Sequence, residues 1–153
     1  MSKVKPCLWF DNRIEEAVNF YVDLFGEGSA VSNTSRLPDG SVLAMQFNLR
    51  GQNFMALNGR RQGHFNEAVS FVVDCKDQAE VDRFWTALTA DGGEESMCAW
   101  LKDRFGLSWQ IVPRRLIELM TDPDKARAGR AMQAMMQMRK IIVADLEKAA
   151  AAA

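Results

Sequence analysis

Nineteen Lys and Arg stand against 20 Asp and Glu in a chain of 153 residues, and this near-cancellation excludes the strong one-signed field that gathers nucleic acid or an anionic membrane surface. The length suits one domain with a substantial apolar core, and no second domain is expected. Three cysteines, Cys7, Cys75 and Cys98, lie in or beside apolar runs; their odd number, and the lack of any apolar stretch of signal-peptide or membrane-span length, imply a cytoplasmic, non-membrane protein.

Residues 4–10 form a short apolar run that predicts a strand, and Asp11-Asn12 is a helix start signal. Ile14, Ala17, Val18, Tyr21, Leu24 and Phe25 recur at helical spacing, with Gly26 and Gly28 closing the segment. Residues 29–37 and 42–49 read as strands joined by Pro38-Asp39-Gly40, and a further strand at 53–58 follows the turn Arg50-Gly51-Gln52. The order then repeats. A strand at 68–74 leads to a helix capped by Asp77, with an apolar stripe of Val81, Phe84, Trp85 and Leu88 and an end at Gly92-Gly93. Short strands are expected near 94–98, 100–104 and 107–112, the last stopped by Pro113. Beyond it the pattern turns helical, with 114–120 as one segment and Asp122-Pro123 opening another. Met132, Met135, Met136, Ile142, Val143 and Leu146 line an apolar stripe interrupted near Lys140, read as packing rather than as an adaptable groove. This tail is expected to cover one end of the sheet or a dimer seam.

The repetition is also written in the residues themselves. At an offset of 64 positions, Glu16, Phe20, Tyr21 and Leu24 meet Glu80, Phe84, Trp85 and Leu88, and further along Leu43 and Gln46 meet Leu107 and Gln110. Arg36-Leu37-Pro38-Asp39 likewise meets Trp100-Leu101-Lys102-Asp103, although the last strands also match as Phe54 with Trp109. Two copies make a pseudo-symmetric domain rather than a solenoid.

Strand alternation then predicts which side chains face away from the helices. Val69, Phe71, Val73, Trp109 and Ile111 are assigned to the helix side, leaving Ala68, Ser70, Val72, Ser108 and Gln110 on the open side; Phe54, Ala56 and Asn58 join them there, with Cys7 and Trp9. The candidate ligand-binding residues are therefore Cys7, Trp9, Phe54, Asn58, Ser70, Ser108 and Gln110. They would line a mostly apolar pocket whose hydroxyls and amides orient a ligand and whose rings stack on it, or satisfy one another at a dimer seam. His64, the only histidine, is a candidate general acid or base or else an exposed loop residue, and Cys7 is a candidate nucleophile or else a small buried thiol. Lys102-Asp103-Arg104 either meets an anionic ligand at the pocket mouth or forms a solvated turn with a surface ion pair.

The words Leu8-Trp9-Phe10-Asp11, Glu15-Glu16-Ala17-Val18-Asn19-Phe20-Tyr21 and Ala56-Leu57-Asn58-Gly59 resemble the PhnB-like branch of the vicinal oxygen chelate (glyoxalase/bleomycin-resistance) superfamily. In the second half, Phe65-Asn66-Glu67-Ala68-Val69-Ser70-Phe71, Asp77-Gln78-Ala79-Glu80-Val81-Asp82 and the run from Trp100 through Asp103, Gly106 and Trp109 to Pro113 resemble its subgroup labelled 3-demethylubiquinone-9 3-methyltransferase-like, with the likeness taken to include the tail. The resemblance implies an α+β fold of two βαβββ modules, at 4–59 and 66–113, forming a cupped mixed sheet, followed by a helical tail at 114–150 and assembled as a homodimer. It also implies a divalent-metal site at positions that carry Lys5, Ala56, Ala68 and Gln110, of which only Gln110 offers a ligand atom. The expectation is therefore a metal-free, cofactor-free small-molecule-binding protein. The alternative is a metal-dependent or His64-assisted lyase, isomerase or oxygenase. No Gly-rich strand-to-helix turn of the kind that cradles a nucleotide-like cofactor is present, which argues against methyl transfer.

Overall fold

The structure is a computed structural model that describes residues 3–59 and 64–152. The chain divides into two compact units, 1–64 and 65–153. In the first, β1 (Cys7–Trp9) is followed by α1 (Ile14–Phe25), β2 (Ala30–Arg36), β3 (Val42–Leu49) and β4 (Gln52–Leu57). In the second, β5 (Ser70–Cys75) is followed by α2 (Gln78–Thr89), β6 (Glu94–Glu95), β7 (Trp100–Lys102) and β8 (Ser108–Pro113). Each unit builds a four-stranded mixed sheet, in the orders β1-β4-β3-β2 and β5-β8-β7-β6, with its first and last strands parallel and the rest antiparallel. The expected βαβββ order is thus present twice.

Both helices lie where the apolar periodicity places them. Ile14, Ala17, Val18, Tyr21 and Phe25 are buried along α1, which runs to Gly26 at φ +70°. Asp11-Asn12 does not cap it: the N-cap is Arg13, which makes no side-chain capping bond. Asp77 does cap α2, its Oδ1 accepting the Glu80 backbone N–H at 2.9 Å. That helix ends at Thr89, before Gly92-Gly93, so the glycines form the exit turn rather than the cap. Gly93 is there for space, since a Cβ would stand 2.5 Å from the Leu88 carbonyl oxygen.

On the helix side of the first sheet Leu8, Met45, Phe47, Phe54 and Ala56 are buried, and the rings of Phe47 and Phe54 stack at 5.2 Å. The second unit repeats this with Val73, Leu101, Trp109 and Ile111. Phe71 is half-buried, its ring 5.7 Å from that of Trp109, whereas Val69 lies ahead of β5 and is 63% exposed rather than on the helix side.

The tail continues the second unit as α3 (Arg114–Met120), α4 (Lys125–Met135) and α5 (Val143–Ala151). The Asp122-Pro123 start is corrected by two residues. Asp124 is the N-cap, accepting from Ala126 and Arg127, while Asp122 Oδ1 accepts the Asp124 N–H. The expected stripe is corrected too, because Met132 and Met136 are exposed and the core is Val112, Leu116, Leu119, Ala131, Ile141, Leu146 and Ala150, with Ala99. Two devices hold this tail in place. The Gln78 amide accepts from Val143 N and donates to the Ile141 carbonyl, and the Cys98 and Ala99 N–H groups donate to the Met138 and Arg139 carbonyls. Cys98 and Ala99 both have φ in the left-handed region, +60° and +77°, an unfavourable backbone for L-residues that turns both N–H groups toward the tail.

Candidate functional site

Within each unit the helix covers one sheet face, and the opposite, open face carries the candidate polar groups. In the first unit the register aligns Cys7 with Met55 and Met55 with Gln46, and Trp9 with Leu57 and Leu57 with Ala44. These side chains are half-buried or exposed, Trp9 at 40%. Lys5 Nζ donates to Gln46 Oε1 at 3.2 Å and Asn48 Nδ2 to Asn53 Oδ1 at 2.9 Å, so the polar groups of this face are joined in pairs. Burial pushes the Cys7 thiol up from its ordinary pKa, which keeps it protonated and weakly nucleophilic at neutral pH.

Two of the sequence candidates are not on this face. Phe54 is 3% exposed and stacked in the helix-side core, and Ala56 is fully buried beside it. Asn58 is committed to the backbone: Oδ1 accepts the Asn12 N–H at 2.7 Å and Nδ2 donates to the Val42 carbonyl at 3.1 Å. It fixes the entry to α1, where Asn12 has φ +63°, and both ends of its amide are engaged by the backbone rather than set toward the open face.

The cause is register. Leu8 pairs with Ala56 and Val73 with Ile111, all four buried, so Phe54 corresponds to Trp109 and Met55 to Gln110. The last strands, β4 and β8, therefore match at an offset of 55 positions, although the first strands match at 65 and α1 and α2 keep 64. The pairing of Gln46 with Gln110 is superseded, since Gln46 lies on β3 and Gln110 on β8. The match of 36–39 to 100–103 fails likewise, because Trp100–Lys102 is β7, the counterpart of β3.

In the second unit the open face has two rows, Val72-Gln110-Trp100 and Ser70-Ser108-Lys102-Glu94. Gln110 Nε2 donates to Ser70 Oγ at 2.9 Å across the two rows, and Val72 is 61% exposed beside them. Ser108 is 1% exposed, and its hydroxyl has no hydrogen-bond partner among the described residues. Beside it a cavity of about 130 Å³ opens between β6, β7 and the Glu67 segment. Sequence reasoning passed over Glu67, Glu94 and Trp100, which line it; the β7–β8 pairing of Lys102 with Ser108 is the signal that would have joined them. Lys102 Nζ lies 3.6 Å from Glu67 Oε1, and a backbone hydrogen bond together with this ammonium holds the Glu67 carboxyl below the usual range.

Asp103 is neither at a pocket mouth nor in a solvated turn. It is 2% exposed, and its carboxylate accepts from Phe105 N at 2.9 Å, Leu107 N at 3.0 Å and Trp109 Nε1 at 2.9 Å. Of the charged word Lys102-Asp103-Arg104, Lys102 lines the cavity and only Asp103 is thus the buried knot of the β7–β8 turn. Its neighbour Arg104 makes a 3.3 Å ion pair with Asp91. His64 is exposed and outside any helix or strand; residues 60–63 of its loop lie outside the described residues.

The superfamily's metal positions do not fit a divalent ion. Lys5 is committed to Gln46, Ala56 is buried on the wrong face, its open-face neighbours are Met55 and Leu57, and Ala68 has no ligand atom. A cation, a thioether and one neutral amide at Gln110 suit neither hard nor borderline divalent ions. Among the described residues no group of three or more His, Cys, Asp or Glu side chains could hold a metal, and no helix is long and apolar enough to cross a membrane.

Two βαβββ units, each with a parallel outer pair and one open face, define the vicinal oxygen chelate class of fold. Residues 2–112 match the family described as 3-demethylubiquinone-9 3-methyltransferase, and the chain belongs to that family, within the PhnB-like branch of the superfamily. The match stops at Val112, so the tail is not part of it. A putative 3-demethylubiquinone-9 3-methyltransferase, the PhnB protein of Bacillus cereus, is 30% identical with a TM-score of 0.68, over 73% of this chain and 99% of that one. A Pseudomonas aeruginosa protein at 18% identity and TM-score 0.59 covers 74% and 98%, and the fosfomycin resistance protein FosX of Listeria monocytogenes at 12% and 0.55 covers 72% and 91%; these two share the fold alone. No curated protein matches the chain.

Proposed function

We propose that this protein binds a small organic molecule on the open faces of its sheets, without a metal, and that it works as a homodimer. The observation that carries the reading is the makeup of those faces. Trp9, Met55 and Val72 supply exposed or half-buried apolar surface, while the Ser70–Gln110 pair and the unpartnered Ser108 hydroxyl supply polar groups, the mixture found in small-molecule sites. Cys7, Trp9, Ser70, Ser108 and Gln110 are the proposed contacts, with Met55 in the place first given to Phe54. His64 has no acid–base role in this reading.

The family's description names methyl transfer, but nothing supports a methyl-donor site of the doubly wound kind. The connections from β1 to α1 and from β5 to α2 contain no glycine, and both sheets are mixed rather than parallel. The test is native mass spectrometry of untagged protein. A metal-free dimer retaining an organic molecule is the expected result, and one tightly held divalent ion per subunit would overturn the reading.

A further inference from the structure

We infer that the cavity beside Ser108 is a subsite for a small organic cation, an ammonium or guanidinium compound of roughly four to six non-hydrogen atoms. This rests on the reading of the open face as a ligand surface and assigns the ligand's charge and size. The size follows from the volume. At about 130 Å³ the cavity is somewhat smaller than the roughly 150 Å³ cavity that accepts benzene.

The charge follows from the lining. Glu67, Glu94 and Glu95 bring three carboxylates against one ammonium, that of Lys102. Lys102 lies against Glu67, while Glu95 accepts the Trp85 indole N–H at 2.6 Å and lies 3.8 Å from the Arg139 guanidinium. Glu94 has no ion-pair partner among the described residues and is exposed at the cavity's edge, so the lining keeps an uncompensated negative charge. The carboxylates do not form a metal-binding group, which leaves a cation that is recognised without coordination. Trp100 lines the same space, and an indole attracts ammonium and guanidinium groups through its electron-rich face.

Ser108 is the independent observation. Its side chain shares the cavity face with Lys102 through direct strand pairing, it is 1% exposed, and its hydroxyl has no partner among the described residues. Buried hydroxyls are nearly always hydrogen-bonded, and one left unmade asks for an explanation. An N–H or O–H of the bound cation directed at Ser108 Oγ supplies it.

The experiment is a titration of ¹⁵N-labelled full-length protein with three compounds of similar size at constant ionic strength: ethanolammonium chloride, neutral ethylene glycol and anionic glycolate. Ethanolammonium alone should give saturable shifts of the Trp100 indole N–H and of the Lys102 and Ser108 amides. Glu94→Gln should weaken that binding about three- to fivefold, as for an exposed charge pair, and Ser108→Ala should weaken it with the fold intact. If glycol or glycolate binds there as tightly, the cationic assignment is overturned while the open-face reading stands. If none of the three shifts these signals although native mass spectrometry finds a retained organic molecule, this inference alone fails. Silence here together with an empty protein in the mass spectrum would overturn both.

Discussion

Replacing Asp103 by Asn changes one oxygen to an NH₂ group of the same shape and tests whether the buried carboxylate organises the second unit. Oδ1 holds two backbone N–H groups, and an Asn oxygen placed there keeps both. The amide nitrogen then faces Trp109 Nε1, two donors about 2.9 Å apart. The lost bond is charge-assisted, and the indole N–H is left buried without an acceptor, so the expected cost is about 2–3 kcal/mol. Asp103→Ala frees all three donors and should cost about 4–5 kcal/mol, in the range reserved for broken buried networks. Urea unfolding followed by intrinsic fluorescence is a suitable assay, because Trp85, Trp100 and Trp109 of the four tryptophans lie in this unit. For a chain of this size the Asn variant should melt about 5–10 °C lower. Trp109→Phe removes the donor, and in that background the Asn penalty should shrink by about 1–2 kcal/mol. An Asn variant within about 0.5 kcal/mol of the parent, or an unchanged penalty in the double variant, would refute the argument.

Ser108→Ala deletes an unpartnered buried hydroxyl and should stabilise the ligand-free protein by about 1–2 kcal/mol in the same urea assay, whereas an equal loss would mean that the hydroxyl is satisfied. Gly93→Ala drives a Cβ into the Leu88 carbonyl and Thr89 backbone, and a fall of about 2 kcal/mol or more is expected; a neutral result would show that the exit turn of α2 yields freely. The Cys7 thiol, held above its ordinary pKa by burial, should react with iodoacetamide at pH 7 more slowly than free cysteine, and a faster reaction would contradict its protonated state. Asp82 is held below the usual carboxylate range first by Lys140 and then by Gln78. A depressed folded pKa stabilises above the unfolded value near 3.9 and loses that contribution as pH falls through the folded one. Lys140→Met should therefore raise the Asp82 pKa in an NMR titration, and an unmoved value would sever the link.

What could be read from the sequence depended on contrast between neighbours. The two helices were legible because apolar residues recur at 3.6-residue spacing against charged ones and both segments end in glycine-bearing turns. The β4 register was not, since Phe54, Met55, Ala56 and Leu57 are all apolar and alternation leaves no mark on such a run. The choice between offsets of 64 and 55 therefore waited for the pairing of Leu8 with Ala56. Asp103 was hidden for the opposite reason: between Lys102 and Arg104 it looks like a solvated charge, and only the converging N–H groups of Phe105, Leu107 and Trp109 reveal an acceptor drawn inward. The cavity beside Ser108 was illegible because its lining comes from four separated stretches, none a motif alone.

The Gln78 amide binds two points of the tail from the first residue of α2, and the left-handed pair Cys98–Ala99 grips two more. A helical appendix held only at its root would fray independently, but one stitched to the start of a module's helix and to the entry of its third strand must come undone with them. Amide exchange in α5 should then follow that of α2 rather than that of a loose terminus. A chain cut at Pro113, close to where the family match ends, would lay bare Ala99 and Val112 and leave both left-handed N–H groups without acceptors. The tail is accordingly part of this protein's folding unit, and the shortened chain should aggregate where the full one stays monodisperse.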